Sequence, residues 1–99
     1  NVDGIGNRTA AMSFGPQRVV IVAGMNKVTP DLESALRRVR AVAGPMRAKS
    51  LGMNTPCAET GVCSDCRSPQ RICNITTILH HKPMLTALSV VLVNEALGY

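Results

Sequence analysis

All four cysteines of the chain fall between Cys57 and Cys73, in the run CAETGVCSDCRSPQRIC. Their spacing is C-x5-C-x2-C-x6-C. Thiolates are soft ligands that suit zinc and iron–sulfur clusters. Four of them in one loop can close a tetrahedral zinc site or take the corners of a cluster. Cys63 and Cys66 have the x2 spacing that lets two thiolates reach one metal from a turn. The outer gaps, five and six residues, are longer than those of a zinc ribbon and differ from the common ferredoxin spacings. Arg67 and Arg71 place positive charge beside the thiols, and Asp65 opposes it. Two further readings stand beside a metal set of Cys57, Cys63, Cys66 and Cys73. The thiols can be reduced and idle, or they can form one or two disulfides, for which four cysteines allow three pairings. In a cytosolic protein such a disulfide is a redox switch or a product of later oxidation. A thioredoxin-type centre is disfavoured, because Cys63 and Cys66 sit mid-loop and not at a helix start.

A second set of candidates lies near the start. Gly4-Ile5-Gly6-Asn7-Arg8 joins a short strand, Asn1 to Asp3, to a helix opening at Thr9. A glycine-rich turn from strand to helix exposes backbone N–H groups at a positive helix end, which suits phosphate or carboxylate. Arg8 adds a donor fork for such an anion. Thr9 stands where the dinucleotide fingerprint needs a third glycine, so that motif is incomplete. A tight turn whose glycines serve packing alone is the plainer reading. Asn26 and Lys27 are secondary candidates at the carboxyl end of the next strand, where open α/β sheets place ligands. His80 and His81 precede Pro83 and read as a polar strand end, or as an extra ligand or acid/base group.

The elements that must position these groups follow from pattern. Arg18 to Gly24 is a β-branched run, as expected for a strand buried on both faces of a parallel sheet. Thr29 reads as a helix N-cap with Pro30 at the first helical position. Leu32, Ala35, Leu36, Val39, Val42 and Ala43 recur at helical spacing as a core stripe. Arg37, Arg38 and Arg40 lie off it, as a solvated face or a phosphate patch. Gly44-Pro45 ends or kinks that helix, and Met46 to Leu51 makes a second helical piece closed by Gly52. The cysteine segment is a loop by composition. Asn74 to Leu79 and Leu88 to Val93 read as strands. Their short connector points to a hairpin or an edge pairing.

With 99 residues the chain is one domain at most, and residues 1–99 read as part of a larger one. No apolar run approaches the ~20 residues of a membrane span. No signal segment leads the sequence, so a cytoplasmic protein is expected, and the sequons at Asn7 and Asn74 read as chance. The net charge of +5 favours anionic partners in general. Phe14 and Tyr99 are the whole aromatic content, which argues against a stacking platform for nucleic acid.

The order of motifs adds a resemblance. NVDGIGNR, VVIVAGMNK, TPDLESAL, AKSLGMNTPCAETGVCSDC, SPQRICN and VVLVNEALGY follow one another across nearly the whole chain. Together they resemble the carboxy-terminal half of a LUD domain, the family of the lactate utilisation operon's C-type subunit. The cysteine cluster is similar to that of a stand-alone branch and departs from the C-type lactate subunits. The resemblance implies a three-layer α/β/α fold with a mostly parallel sheet, of the NagB/RpiA/CoA-transferase-like kind. Ligands on that fold sit at strand carboxyl ends. Gly4, Gly6, Asn7 and Arg8 would then form part of an anion loop, with Asn26 and Lys27 opposite and the amino-terminal half supplying the other wall. An accessory redox domain in lactate or other small organic acid metabolism is the first function implied, with an iron–sulfur cluster or zinc on the cysteines. An enzyme or small-ligand binder of the CoA-transferase-like fold, taking a phosphate- or CoA-like anion at the glycine loop, is the second, and a disulfide-based redox sensor the third. A redox partner protein, a homo-oligomer and the missing half of the domain are the partners expected.

Overall fold

The computed structural model describes residues 1–99. Two small sheets carry the architecture. In the first, β1 (Val2–Asp3) pairs antiparallel with β3 (Ile75–Thr76), with Val2 opposite Thr76 and Asp3 opposite Ile75. In the second, β2 (Arg18–Gly24) pairs parallel with β4 (Ala87–Val93), in register from Arg18 and Ala87 to Gly24 and Val93. All the helices but α1 (Asn7–Ser13) lie in the crossover between β2 and β4. The hairpin expected between the last two strands does not form. β3 and β4 belong to different sheets, and β4 runs parallel to β2. The strand expected over Asn74 to Leu79 is reduced to its two residues opposite β1.

The long helical run begins one cap later than the Thr29-Pro30 pattern predicts. Asp31 is the cap: its carboxylate accepts from the Ser34 N–H at 2.6 Å, and α2 spans Leu32–Arg38. Those hydrogen bonds hold the Asp31 carboxyl below its ordinary range. Gly44-Pro45 does not end the run. A π turn, Val39–Ala43, leads without a break into α3 (Gly44–Ser50). The Gly44 N–H donates to the Val39 carbonyl, five residues back. Proline has no N–H and crowds the carbonyl four residues before it. The widened turn relieves that conflict, as π turns do elsewhere. Gly44 is required at this point, because a Cβ there would stand 2.9 Å from the Val39 carbonyl oxygen.

The first part of the cysteine segment is helical, contrary to its loop composition. Thr55 is buried, Pro56 takes the first helical position, and α4 spans Pro56–Thr60 with Cys57 in its first turn. Gly61 closes it at φ 75°, a left-handed cap. The closest helical packing is between α3 and α4, around the fully buried Ala48.

Both faces of the β2–β4 pair are open. Val20 (54%) and Val22 (61%) are exposed on one side, and Val90 (58%) and Leu92 (53%) on the other. The helical stripe at Leu32, Leu36 and Val42 is also largely exposed. Only six residues of the chain are buried. Parallel strands of this composition are normally covered on both faces. The chain therefore presents a sheet whose apolar surface exceeds what its own helices cover.

Candidate functional site

The glycine turn ahead of α1 has an acceptor of its own. Asp3, at the end of β1, is buried, and its Oδ2 accepts from the backbone N–H of Arg8 at 2.9 Å and of Thr9 at 3.2 Å. Burial pushes this carboxyl up in pKa. Hydrogen bonds from the Thr9, Gly6 and Arg8 N–H groups and the Arg8 charge outweigh it and hold the group below its ordinary value. Gly6 adopts φ 93° to turn the chain into the helix, and its carbonyl accepts the Ala10 N–H at 2.9 Å. Gly4 packs tightly on the chain at Ile72, where a Cβ would come within 3.3 Å of the Ile72 Cα. Asn7 opens the helix, and the Arg8 guanidinium donates to the Val2 carbonyl at 2.9 Å. The donors that would greet an anion are thus engaged by an internal carboxylate. Asp3 is the residue that sequence reasoning missed. Its signal was available: an acid immediately before a glycine turn that leads into a helix.

Asn26 and Lys27 follow β2 and sit on the other sheet. Asn26 Nδ2 donates to the Gly98 carbonyl at 3.0 Å, and its Oδ1 accepts the Leu97 N–H at 3.2 Å. Lys27 Nζ donates to the Leu97 carbonyl. The Met25 N–H completes the strap by donating to the Glu95 carbonyl at 3.1 Å. These side chains bind the segment after β4 across the carboxyl end of β2. A Cβ at Gly24 would meet Asn26 Oδ1, the Glu95 carbonyl oxygen and the Leu97 nitrogen at 2.5 Å each. Asn26 and Lys27 thus adjoin the β2–β4 sheet, and the Gly4–Arg8 turn adjoins the β1–β3 sheet. His80 and His81 are exposed.

The cysteine segment is arranged differently. Cys57, Cys63, Cys66 and Cys73 are all free thiols and all half-buried. Cys57, Cys63 and Cys73 line one cavity of about 110 Å³, together with Asp65, Arg71 and the α2–π–α3 run at Leu36, Val39, Arg40, Gly44 and Pro45. Arg71 organises the loop around it. Its Nη1 donates to the Cys66 carbonyl at 2.6 Å, its Nε to the Cys73 carbonyl at 3.3 Å, and its Nη2 pairs with Asp65 at 2.8 Å. The Asp65 hydrogen bond, with the nearby Cys73 sulfur, raises the Arg71 pKa above its already high value, so the clamp stays charged. Asp65 reaches this position through a left-handed backbone, φ 50°, which aspartate tolerates better than most residues. Ser68 and Gln70 fix the rest of the loop. Ser68 Oγ donates to the Asn54 carbonyl at 2.8 Å, and Gln70 Oε1 accepts the Asn54 N–H at 2.7 Å.

Cys57, Cys63 and Cys73 share a cavity wall, and Cys66 lies outside it. No three Cys, His, Asp or Glu side chains are gathered closely enough to hold an ion. A second, open cavity of about 700 Å³ lies alongside, lined by Glu33, Leu36, Arg37, Arg40, Gly61, Val62 and Cys63 among others. Sequence reasoning set the Arg37 and Arg40 side chains on a solvated face or a phosphate patch. The fold brings them to the edge of the thiol loop.

An α/β chain with a thiol-lined cavity between its π-turned helix and a clamped loop is the class that these observations define. The family model of the LUD domain matches residues 1–93, and the chain belongs to that family. No curated protein and no solved structure matches it. No helix is long and apolar enough to cross a membrane.

Proposed function

We propose that this LUD-family chain is a lactate-utilisation-like protein serving as an accessory redox domain in the metabolism of lactate or another small organic acid, with the cysteine loop as its working centre. One observation carries the reading: Cys57, Cys63 and Cys73, all free, face a single small cavity whose loop is held by the Arg71 clamp. Thiols that share one cavity can pass between dithiol and disulfide. Free thiols suit a cytoplasmic setting, where thiol buffers keep cysteines reduced. The alternative, a phosphate- or CoA-like ligand at the glycine turn, has less support, since Asp3 already takes those donors. The open faces of β2 and β4 favour the three-layer NagB/RpiA-like arrangement, in which the amino-terminal half of the domain covers Val20 and Val22.

The test is the protein isolated without oxygen, measured by metal content, visible absorption and intact mass with and without reductant. Four alkylatable thiols that lose two hydrogens on mild oxidation and regain them with reductant support the reading. Stoichiometric iron or zinc that blocks alkylation of all four would replace it with a metal or cluster centre. Thiols that neither oxidise reversibly nor bind metal would refute both.

A further inference from the structure

Cys63 differs from the other cysteines in its surroundings. It lines the enclosed cavity with Cys57 and Cys73 and also the open cavity with Arg37 and Arg40. The two cavities meet at Leu36, Arg40 and Cys63. Gly61 and Val62 bring the chain to this point and line the open cavity with Cys63. The charged groups around the open cavity are Arg37, Arg40 and Glu33. Glu33 lies 3.5 Å from Arg37 in an exposed pair, which is worth little in water. Arg40 has no acidic partner. The open cavity is therefore a cationic antechamber with one cysteine in its wall, and that cysteine shares the enclosed cavity with two more.

From this placement, and resting on the thiol-redox reading above, we propose that Cys63 exchanges with a low-molecular-weight disulfide that carries carboxylates, seated against Arg37 and Arg40. In the first step the Cys63 thiolate attacks one sulfur of the ligand disulfide. A Cys63–ligand mixed disulfide forms, the ligand S–S bond breaks, and one ligand thiolate leaves. In the second step Cys57 or Cys73, from the shared cavity, attacks the Cys63 sulfur and expels the second ligand thiolate. The protein dithiol is oxidised by two electrons, the ligand disulfide is reduced to two thiols, and the two protein protons pass to the departing thiolates. Attack by a thiolate through a mixed disulfide is the general course of such exchange. The arginines select the partner: carboxylates are drawn to guanidinium groups, and a positively charged disulfide is repelled.

The experiment uses the reduced full chain, with oxidised glutathione as the anionic probe and cystamine as the cationic one, followed by quenched intact-mass spectrometry. We expect a transient glutathione adduct on Cys63, then an internal disulfide. In Arg37→Gln/Arg40→Gln the rate with oxidised glutathione falls by about tenfold and the cystamine rate does not fall. Cys63→Ser gives no adduct, whereas Cys66→Ser reacts as the unaltered chain does. The small electrophile diamide, which needs no arginine, separates the two levels of the claim. A chain that forms its disulfide with diamide but shows equal rates for both probes, or a first adduct on another cysteine, overturns this inference and leaves the redox reading standing. A chain inert to diamide as well overturns both. Circular dichroism of each variant identifies one that has lost its fold. A conservative Arg37→Lys/Arg40→Lys pair, which keeps the charge, retains the preference for oxidised glutathione if the inference is right.

Discussion

The turn before α1 and the loop after α4 are the two candidate sites of the sequence, and they differ in how their polar groups are engaged. Both hold polar groups on irregular backbone beside a short helix. In the first, the Asp3 carboxylate takes the backbone N–H groups of Arg8 and Thr9, and the Arg8 guanidinium donates to the Val2 carbonyl. In the second, the Arg71 bonds run to backbone carbonyls and to Asp65, the Cys57 thiol meets the Thr55 hydroxyl at 3.4 Å, and Cys57, Cys63 and Cys73 line one cavity without a disulfide between them. A region whose polar groups satisfy one another is built for stability. A region that fixes its backbone and leaves its thiols unbonded to one another is prepared for chemistry.

Substitutions can break this contrast, and the largest effect is expected in the cysteine loop. Cys63→Ser should abolish reversible disulfide formation by small disulfides altogether, with little change in melting temperature, as read by mass and by thermal unfolding. Asp3→Asn comes next and acts on stability alone. It removes the carboxylate that gathers the Arg8 and Thr9 N–H groups, so the melting temperature should fall while thiol reactivity stays. Its pH dependence has a fixed sign. The folded pKa lies below the unfolded value of ~3.9, so the Asp3 contribution is complete above that pH and is lost as pH falls through the lowered value. The parent chain should lose stability on that acid limb, and Asp3→Asn should lose less.

Gly44→Ala tests the π turn. A methyl group 2.9 Å from the Val39 carbonyl oxygen must displace backbone, and the cost should be about 1–3 kcal/mol in chemical unfolding despite alanine's better helix propensity. Arg71→Lys keeps a cation but loses the fork that spans Cys66, Cys73 and Asp65. Cys66 and Cys73 should then be alkylated faster, with the melting temperature lowered less than by Gly44→Ala. Arg8→Ala should do least, within about 0.5 kcal/mol, because its exposed guanidinium makes one bond, to the Val2 carbonyl. A large loss of small-anion binding in that variant would instead restore the glycine turn as a site.

What could be seen in the residues alone followed local rules. The β-branched run of β2, the helix-opening signals after Lys27, and the helix stop at Gly52 all mark real features. The LUD resemblance covered the same span that the family model matches. Long-range matters were not legible. The parallel pairing of β4 with β2 depends on a crossover that spans the helical layer, which no short connector reveals. The role of Asn26 and Lys27 depends on Leu97 and Gly98, some seventy residues away. The helix through Gly44-Pro45 was hidden because proline rules anticipate a break and not a wider turn. In the cysteine segment, spacing could name the thiols but not show that Arg71 would clamp the loop, or that only Cys63 would look into both cavities.

The most direct measurement is site-resolved alkylation of the anaerobically purified full chain before and after a single equivalent of oxidised glutathione. Cys63 should be protected together with Cys57 or Cys73, Cys66 should remain alkylatable, and reductant should restore all four. Protection that spares Cys63, or a chain whose four cysteines react identically before and after, would contradict a working centre in this loop.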